Sequence, residues 1–105
     1  MYKGFLIDLD GVAYLGQDII PSCRDFIDRC HQKGKKFCFV TNNSTRIGSD
    51  VYEHLKAGGY KLRAENIITS IEVTVNFLIR ENKQIRVYLI GMTGLRQELL
   101  KNNII

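Results

Sequence analysis

The sequence predicts an α/β domain: a three-layer, Rossmann-like parallel sheet with helices on both faces. Three observations carry that expectation. Short apolar runs alternate with helical stripes along the whole chain, glycines fall where the stripes end, and acidic or small polar residues follow directly after the apolar runs.

The first run, "GFLIDL" at residues 4–9, reads as a fully buried strand that ends in acids. Pro21 then opens a helix over residues 21–33, striped by Cys23, Phe26, Ile27 and Cys30 at i, i+3, i+4 and i+7, and Gly34 closes it. "KFCFV" at 36–40 is the second strand, running into the polar "TNNS". Val51, Tyr52 and Leu55 mark a helix that Gly58 and Gly59 stop. A short strand "NIIT" at 66–69 is followed by a helix over 70–82 faced by Ile71, Val75 and Leu78. A fourth strand, "IRVYLI" at 85–90, and a last helix at 93–102 complete the alternation. Right-handed crossovers bring the C-terminal ends of all four strands to one rim, outside which ligands of open α/β sheets bind. Asp8 and Asp10, Thr41 to Ser44, Thr69 with Ser70, and Gly91 with Thr93 all fall on that rim.

With 105 residues, 45% apolar and 25% charged, the chain is expected to form one globular domain with a modest core. Asp8 and Asp10 interrupt any secretory signal, and no apolar stretch reaches the roughly 18 residues of a membrane span, so a cytoplasmic protein without a membrane partner is expected. Cys23, Cys30 and Cys38 cannot all pair with one another, and with His31 they match no zinc pattern; they read as reduced core thiols. The net charge of +4 draws on Lys33, Lys35 and Lys36 around Gly34, where a helix end favours cations. No stacking aromatics accompany that cluster, so nucleic acid is not an expected partner.

Two carboxylates at i and i+2 after a strand repel unless a cation or a shared proton relieves them. Magnesium suits the pair, being hard, oxygen-seeking and able to keep several waters. Gly11 lets the backbone turn and present N–H groups to an anion, while Thr41 and Asn42 offer a hydroxyl and an amide to phosphate oxygens. Together these residues suit phosphoryl transfer through a covalent aspartyl-phosphate. Taken alone, "DLD" is the common pattern of a turn with capping aspartates and "TNNS" that of a loop; it is their joint placement after successive strands that points to chemistry. There is no G-x-x-x-x-G-K-[ST], "GMTG" at 91–94 lacks the third glycine of a dinucleotide loop, and no later strand carries the acceptor aspartate of a receiver domain.

"DLDGVAYLG", "FVTNNS", "NIITS" and "VYLIGMTGL" together resemble the haloacid dehalogenase superfamily, within it the capped 4-nitrophenylphosphatase branch that includes phosphoglycolate and pyridoxal phosphate phosphatases. The resemblance implies a magnesium-dependent phosphatase of a small phosphorylated metabolite. Asp8 would be the nucleophile and a metal ligand. Asp10 would be the general acid/base, with its backbone carbonyl on the metal. Thr41 and Asn42 would hold the phosphoryl group, and Gly11 would shape the phosphate-binding turn. Such proteins continue through a cap and two further motifs, a lysine and a set of acids, that residues 1–105 do not match. The stretch is therefore expected to be the N-terminal half of such a core, with little turnover by itself. A second expectation, of another class, is a non-catalytic module that forms a homo-oligomer through an exposed sheet edge.

Overall fold

The computed structural model describes residues 2–43, 47–81, 87–90 and 93–102, with the side chains of 93–95 left aside. It is an α/β protein built on a parallel sheet of β1 (Gly4–Asp8), β4 (Lys36–Thr41) and β5 (Ile67–Thr69), in the order β1-β4-β5. Between the first two strands run an antiparallel hairpin, β2 (Tyr14–Leu15) with β3 (Asp18–Ile19), and helix α1 (Pro21–Gln32). Helix α2 (Gly48–Ala57) and a short 3-10 turn at Ala64–Asn66 precede β5. Helices α3 (Ser70–Glu81) and α4 (Thr93–Lys101) follow it.

The helix stops form as the glycines require. At the end of α1 the Lys35 N–H reaches back to the Cys30 carbonyl at 2.9 Å and the Gly34 N–H to that of His31 at 3.3 Å, with Gly34 at φ +65°. The end of α2 repeats the motif: Tyr60 bonds Leu55 and Gly59 bonds Lys56, both at 3.1 Å, with Gly59 at φ +91°. Only glycine adopts that left-handed turn without strain. The start of α3 is a reciprocal cap, in which the Glu72 N–H donates to Thr69 Oγ1 and the Thr69 N–H to Glu72 Oε2, each at 3.3 Å.

The pleat sorts the sheet's side chains by face. Ile7, Phe37, Phe39 and Ile67 point to the face covered by Ile27 and Cys30 of α1 and by Val51 and Leu55 of α2, forming the main core. Phe39 is fully buried and edge-on to both Phe37 and Tyr60 at 5.7 Å. Leu6, Val40 and Ile68 occupy the alternate face and are exposed. A second, smaller cluster joins Ile71 and Val75 of α3 to Leu99 of α4.

Two departures concern strands. The hairpin at 14–19 was not expected, because each arm is only two residues long and carries no period to read. Of the strand expected at 85–90, residues 87–90 belong to no ladder and 85–86 lie outside the described residues. The alternation is nevertheless there: Val87 and Leu89 pack on the second cluster while Tyr88 and Ile90 are exposed. A period of two reports which side is covered, whereas a strand also needs a neighbour for its hydrogen bonds.

Candidate active site

The parallel pairing of β1 with β4 sets Gly4 opposite Lys36 and Asp8 opposite Val40, so both strands deliver their exits to one rim. Asp8 lies on the exposed pleat face with Val40, and Asn42, two residues further, returns to that face. Leu6, Ile7, Asp8, Val40 and Asn42 line an open groove of about 390 Å³. A neighbouring groove of about 550 Å³ is bordered by Asp8, Gly11, Val12 and Phe26. The Leu9 N–H donates to Asp8 Oδ1 at 2.9 Å, which orients one edge of the carboxylate. Cys38 shares the pleat face of Asp8, and burial pushes its thiol above the ordinary cysteine value.

Beyond Asp8 the chain leaves the sheet in a tight turn gathered on one carbonyl. Leu9 is fully buried, and its oxygen accepts from the N–H groups of Val12 at 3.1 Å, Ala13 at 2.9 Å and Tyr14 at 3.4 Å. Gly11 stands at φ +81° and donates its N–H to the Tyr14 carbonyl at 2.7 Å. Gly11 makes a turn, but the N–H groups of residues 11–14, expected to face an anion, donate instead to the Leu9 and Tyr14 carbonyls, so Gly11 shapes the loop that holds Asp10 at the rim. The hairpin behind it is anchored by the Tyr14 ring, edge-on to His54 at 4.8 Å, and by the Tyr60 hydroxyl, which donates to the Ala13 carbonyl at 2.7 Å.

Thr41 sits on the other side of the pleat from Asp8. It is only 5% exposed, and its Oγ1 accepts the Asn43 N–H at 3.1 Å, which keeps the hydroxyl proton available for a further acceptor. Asn43 Nδ2 in turn donates to Asp10 Oδ2 at 3.5 Å and ties the two rim loops together. Thus Asp8 shares a groove with Asn42, Asp10 is joined to Asn43, and Thr41 supports the loop that carries both asparagines. Asn43 had no assigned role in the sequence. Its contact spans 33 positions, and the only signal for it was membership of the polar run after the second strand. Of the other rim residues, Thr69 caps α3, while Ser44 and Gly91 lie outside the described residues.

Asp8 and Asp10, both exposed, supply hard oxygen donors for a cation. Among the described residues there is no group of three His, Cys, Asp or Glu side chains placed to hold a metal. So few protein ligands suit an ion that keeps most of its own water, which is the habit of magnesium; a zinc site would need three or four protein ligands.

The family model described as haloacid dehalogenase-like hydrolase matches residues 5–105. The chain is 40% identical over 98 residues to an acid sugar phosphatase of Staphylococcus haemolyticus, covering 93% of this chain and 37% of that protein. An acid sugar phosphatase of Staphylococcus aureus is 35% identical over 104 residues, covering 99% of this chain and 40% of that one. Among solved structures, a p-nitrophenyl phosphatase from Archaeoglobus fulgidus superposes with a TM-score of 0.88 at 33% identity, over 96% of this chain and 39% of that one. A 4-nitrophenylphosphatase from Thermotoga maritima gives 0.89 at 26% identity, over 99% and 40%. The chain therefore spans about two fifths of the length of the relatives it matches. Among the described residues no helix is long and apolar enough to cross a membrane.

Proposed function

The chain belongs to the haloacid dehalogenase-like hydrolase family, and we propose that it contributes the nucleophile half of a magnesium-dependent phosphatase site acting on a small phosphorylated metabolite. The observation that carries the reading is the parallel pairing of β1 with β4, which brings Asp8, Asp10 and residues 41–43 to one rim, cross-linked by the Asn43–Asp10 contact. Phosphatase relatives support the reaction class. The substrate is proposed only as a phosphomonoester, because the rim offers donors for a phosphate and none of its described residues selects the group that phosphate is attached to.

In this reading an Asp8 carboxylate oxygen attacks phosphorus, the bond from phosphorus to the leaving oxygen breaks, and that oxygen takes the proton held on Asp10. Water then gives a proton back to Asp10 and attacks the aspartyl-phosphate; the bond from phosphorus to Asp8 breaks and inorganic phosphate departs. The Asn42 amide serves the phosphoryl oxygens, Thr41 holds the loop that carries Asn42 by accepting the Asn43 N–H, and Asn43 steadies Asp10 between its two proton transfers. Magnesium, held by Asp8 with the Asp10 carbonyl, would offset the charge of the phosphoryl group.

With only these protein ligands the metal is weakly held, so the 105-residue chain alone is expected to turn over 4-nitrophenyl phosphate slowly or not at all. A single covalent event does not need turnover. Incubated with magnesium and 4-nitrophenyl phosphate, the chain is expected to gain one phosphoryl group on Asp8, seen by intact-mass and peptide mapping, with at least a roughly thousandfold loss of labelling rate in Asp8→Asn. Label on another residue, or label that survives Asp8→Asn, overturns the assignment; so does a polypeptide that carries this chain and hydrolyses the substrate equally well with and without Asp8.

A further inference from the structure

We infer that Tyr60 is a positioning residue for Asp10: its hydroxyl, reaching across from the end of α2, fixes the turn that carries the proton donor. The inference rests on the phosphatase reading above. The loop bearing Asp10 is held at two points. At the rim, Asn43 Nδ2 meets Asp10 Oδ2 at 3.5 Å, a long contact between exposed groups for which water competes. At the base, the Tyr60 hydroxyl donates to the Ala13 carbonyl at 2.7 Å, a short bond inside the core. A short buried bond outweighs a long exposed one, so the base sets where the loop stands.

Few bonds separate Tyr60 from Asp10. Ala13 is fully buried, and its N–H donates to the Leu9 carbonyl at 2.9 Å, the shortest of the three bonds gathered on that oxygen; the same peptide unit leads into Asp10. The Ala13 carbonyl also accepts the Ile20 N–H at 3.0 Å, and the Tyr60 hydroxyl lies 3.4 Å from the Ile20 carbonyl, so one side chain meets the hairpin segment where it begins and where it ends. Tyr60 is itself well fixed. Its N–H donates to the Leu55 carbonyl at 3.1 Å in the turn that Gly59 makes, and its buried ring stands edge-on to Phe39 of β4 at 5.7 Å. Since β4 also delivers Thr41, Asn42 and Asn43, Tyr60 refers the loop after the first strand to the strand that carries the phosphate-side groups. Its hydroxyl proton is committed to a backbone carbonyl, so it acts through Asp10 and takes no part in the transfer.

The nature of the leaving group separates positioning from support of the fold. When Asp8 attacks acetyl phosphate, the bond from phosphorus to the acyl oxygen breaks and a carboxylate departs without a proton; with phenyl phosphate the departing oxygen takes the proton of Asp10. A residue that places Asp10 affects only the second. The 105-residue chain with magnesium is offered either donor, and phosphoryl transfer to Asp8 is timed by intact mass and peptide mapping. Tyr60→Phe removes the hydroxyl and keeps the ring on Phe39. It is expected to slow labelling from phenyl phosphate about three- to tenfold, the rate equivalent of one hydrogen bond, and to leave labelling from acetyl phosphate within about twofold. Placed in an Asp10→Asn background, the same substitution is expected to add no further loss, because the group it positions is already gone. An equal fall with both donors, no fall with either, or a further fall beside Asp10→Asn overturns the inference and leaves the phosphatase reading standing. A parent chain that takes label from acetyl phosphate alone overturns it too, since no proton donor is then in place. No label on Asp8 from either donor removes the phosphatase reading and the inference with it.

Discussion

The stretch from β1 to β5 and the stretch from α3 onward carry the same kind of apolar pattern and reach different ends. In the first, twelve buried residues form one core between the sheet and two helices. In the second, Ile71, Val75 and Leu99 are the buried residues among those described, and α3 still shows Val73, Phe77 and Ile79 to solvent. The amphipathic stripe of a helix states how much apolar surface it has, while the area actually removed from water depends on what stands opposite. Helices α1 and α2 have a sheet opposite them; in the described residues α3 has β5 and one further helix. Local stability should follow that difference, and the site, whose residues all hang on β1, β4 and the loops after them, belongs to the better-buried part.

The contrast is sharpest for two phenylalanines. Phe39→Ala removes a fully buried ring that touches two other aromatics and is expected to cost about 3–5 kcal/mol in denaturant unfolding. Phe77→Ala, at a ring 59% exposed on α3, should stay within about 0.5 kcal/mol. Equal losses at the two positions would mean that the outer face of α3 is covered in solution, and the comparison would fail.

A smaller effect tests the seam between the core and the hairpin. Tyr60 closes the turn after α2 and donates to the Ala13 carbonyl at 2.7 Å, so Tyr60→Phe is expected to cost about 0.5–1.5 kcal/mol at neutral pH by removing one of that carbonyl's two donors, the Ile20 N–H remaining. Burial, with the neighbouring Cys23 thiol, holds the Tyr60 hydroxyl well above the ordinary tyrosine value of 10.0. The folded state therefore keeps a proton that the unfolded chain releases. The stabilisation is whole below pH 10 and falls as the solution becomes more alkaline. Chemical denaturation measured from neutral to strongly alkaline pH should show this decline in the parent chain and a flatter profile in Tyr60→Phe. A matching decline in the variant would assign it to another group.

The smallest effect isolates local geometry. Gly34→Ala places a Cβ in open space but at φ +65°, so the expected loss, about 1 kcal/mol in thermal or denaturant unfolding, comes from backbone conformation alone. A neutral result would show that the end of α1 can close without the left-handed turn.

Much of the fold was legible in the sequence because its signals act over a few residues. Pro21 starts α1 through its fixed φ, and the paired glycines end α2 through hydrogen bonds that reach back at most five residues. The acids at the end of β1 and the polar run after β4 were legible for the same reason: each marks the point where an apolar strand leaves the sheet. The α/β class follows from the alternation of those elements.

Tertiary pairing decided the rest. The register of β1 against β4 put Asp8 in a groove with Asn42 and Thr41 across the pleat, and it brought Asn43 to Asp10, 33 positions away in sequence. It also decided that residues 87–90, with a strand's alternation, join no ladder. The physical reason is one of range: propensity, caps and turns are settled by neighbours along the chain, whereas a strand's hydrogen bonds and a side chain's final surroundings are supplied by residues that only folding makes adjacent.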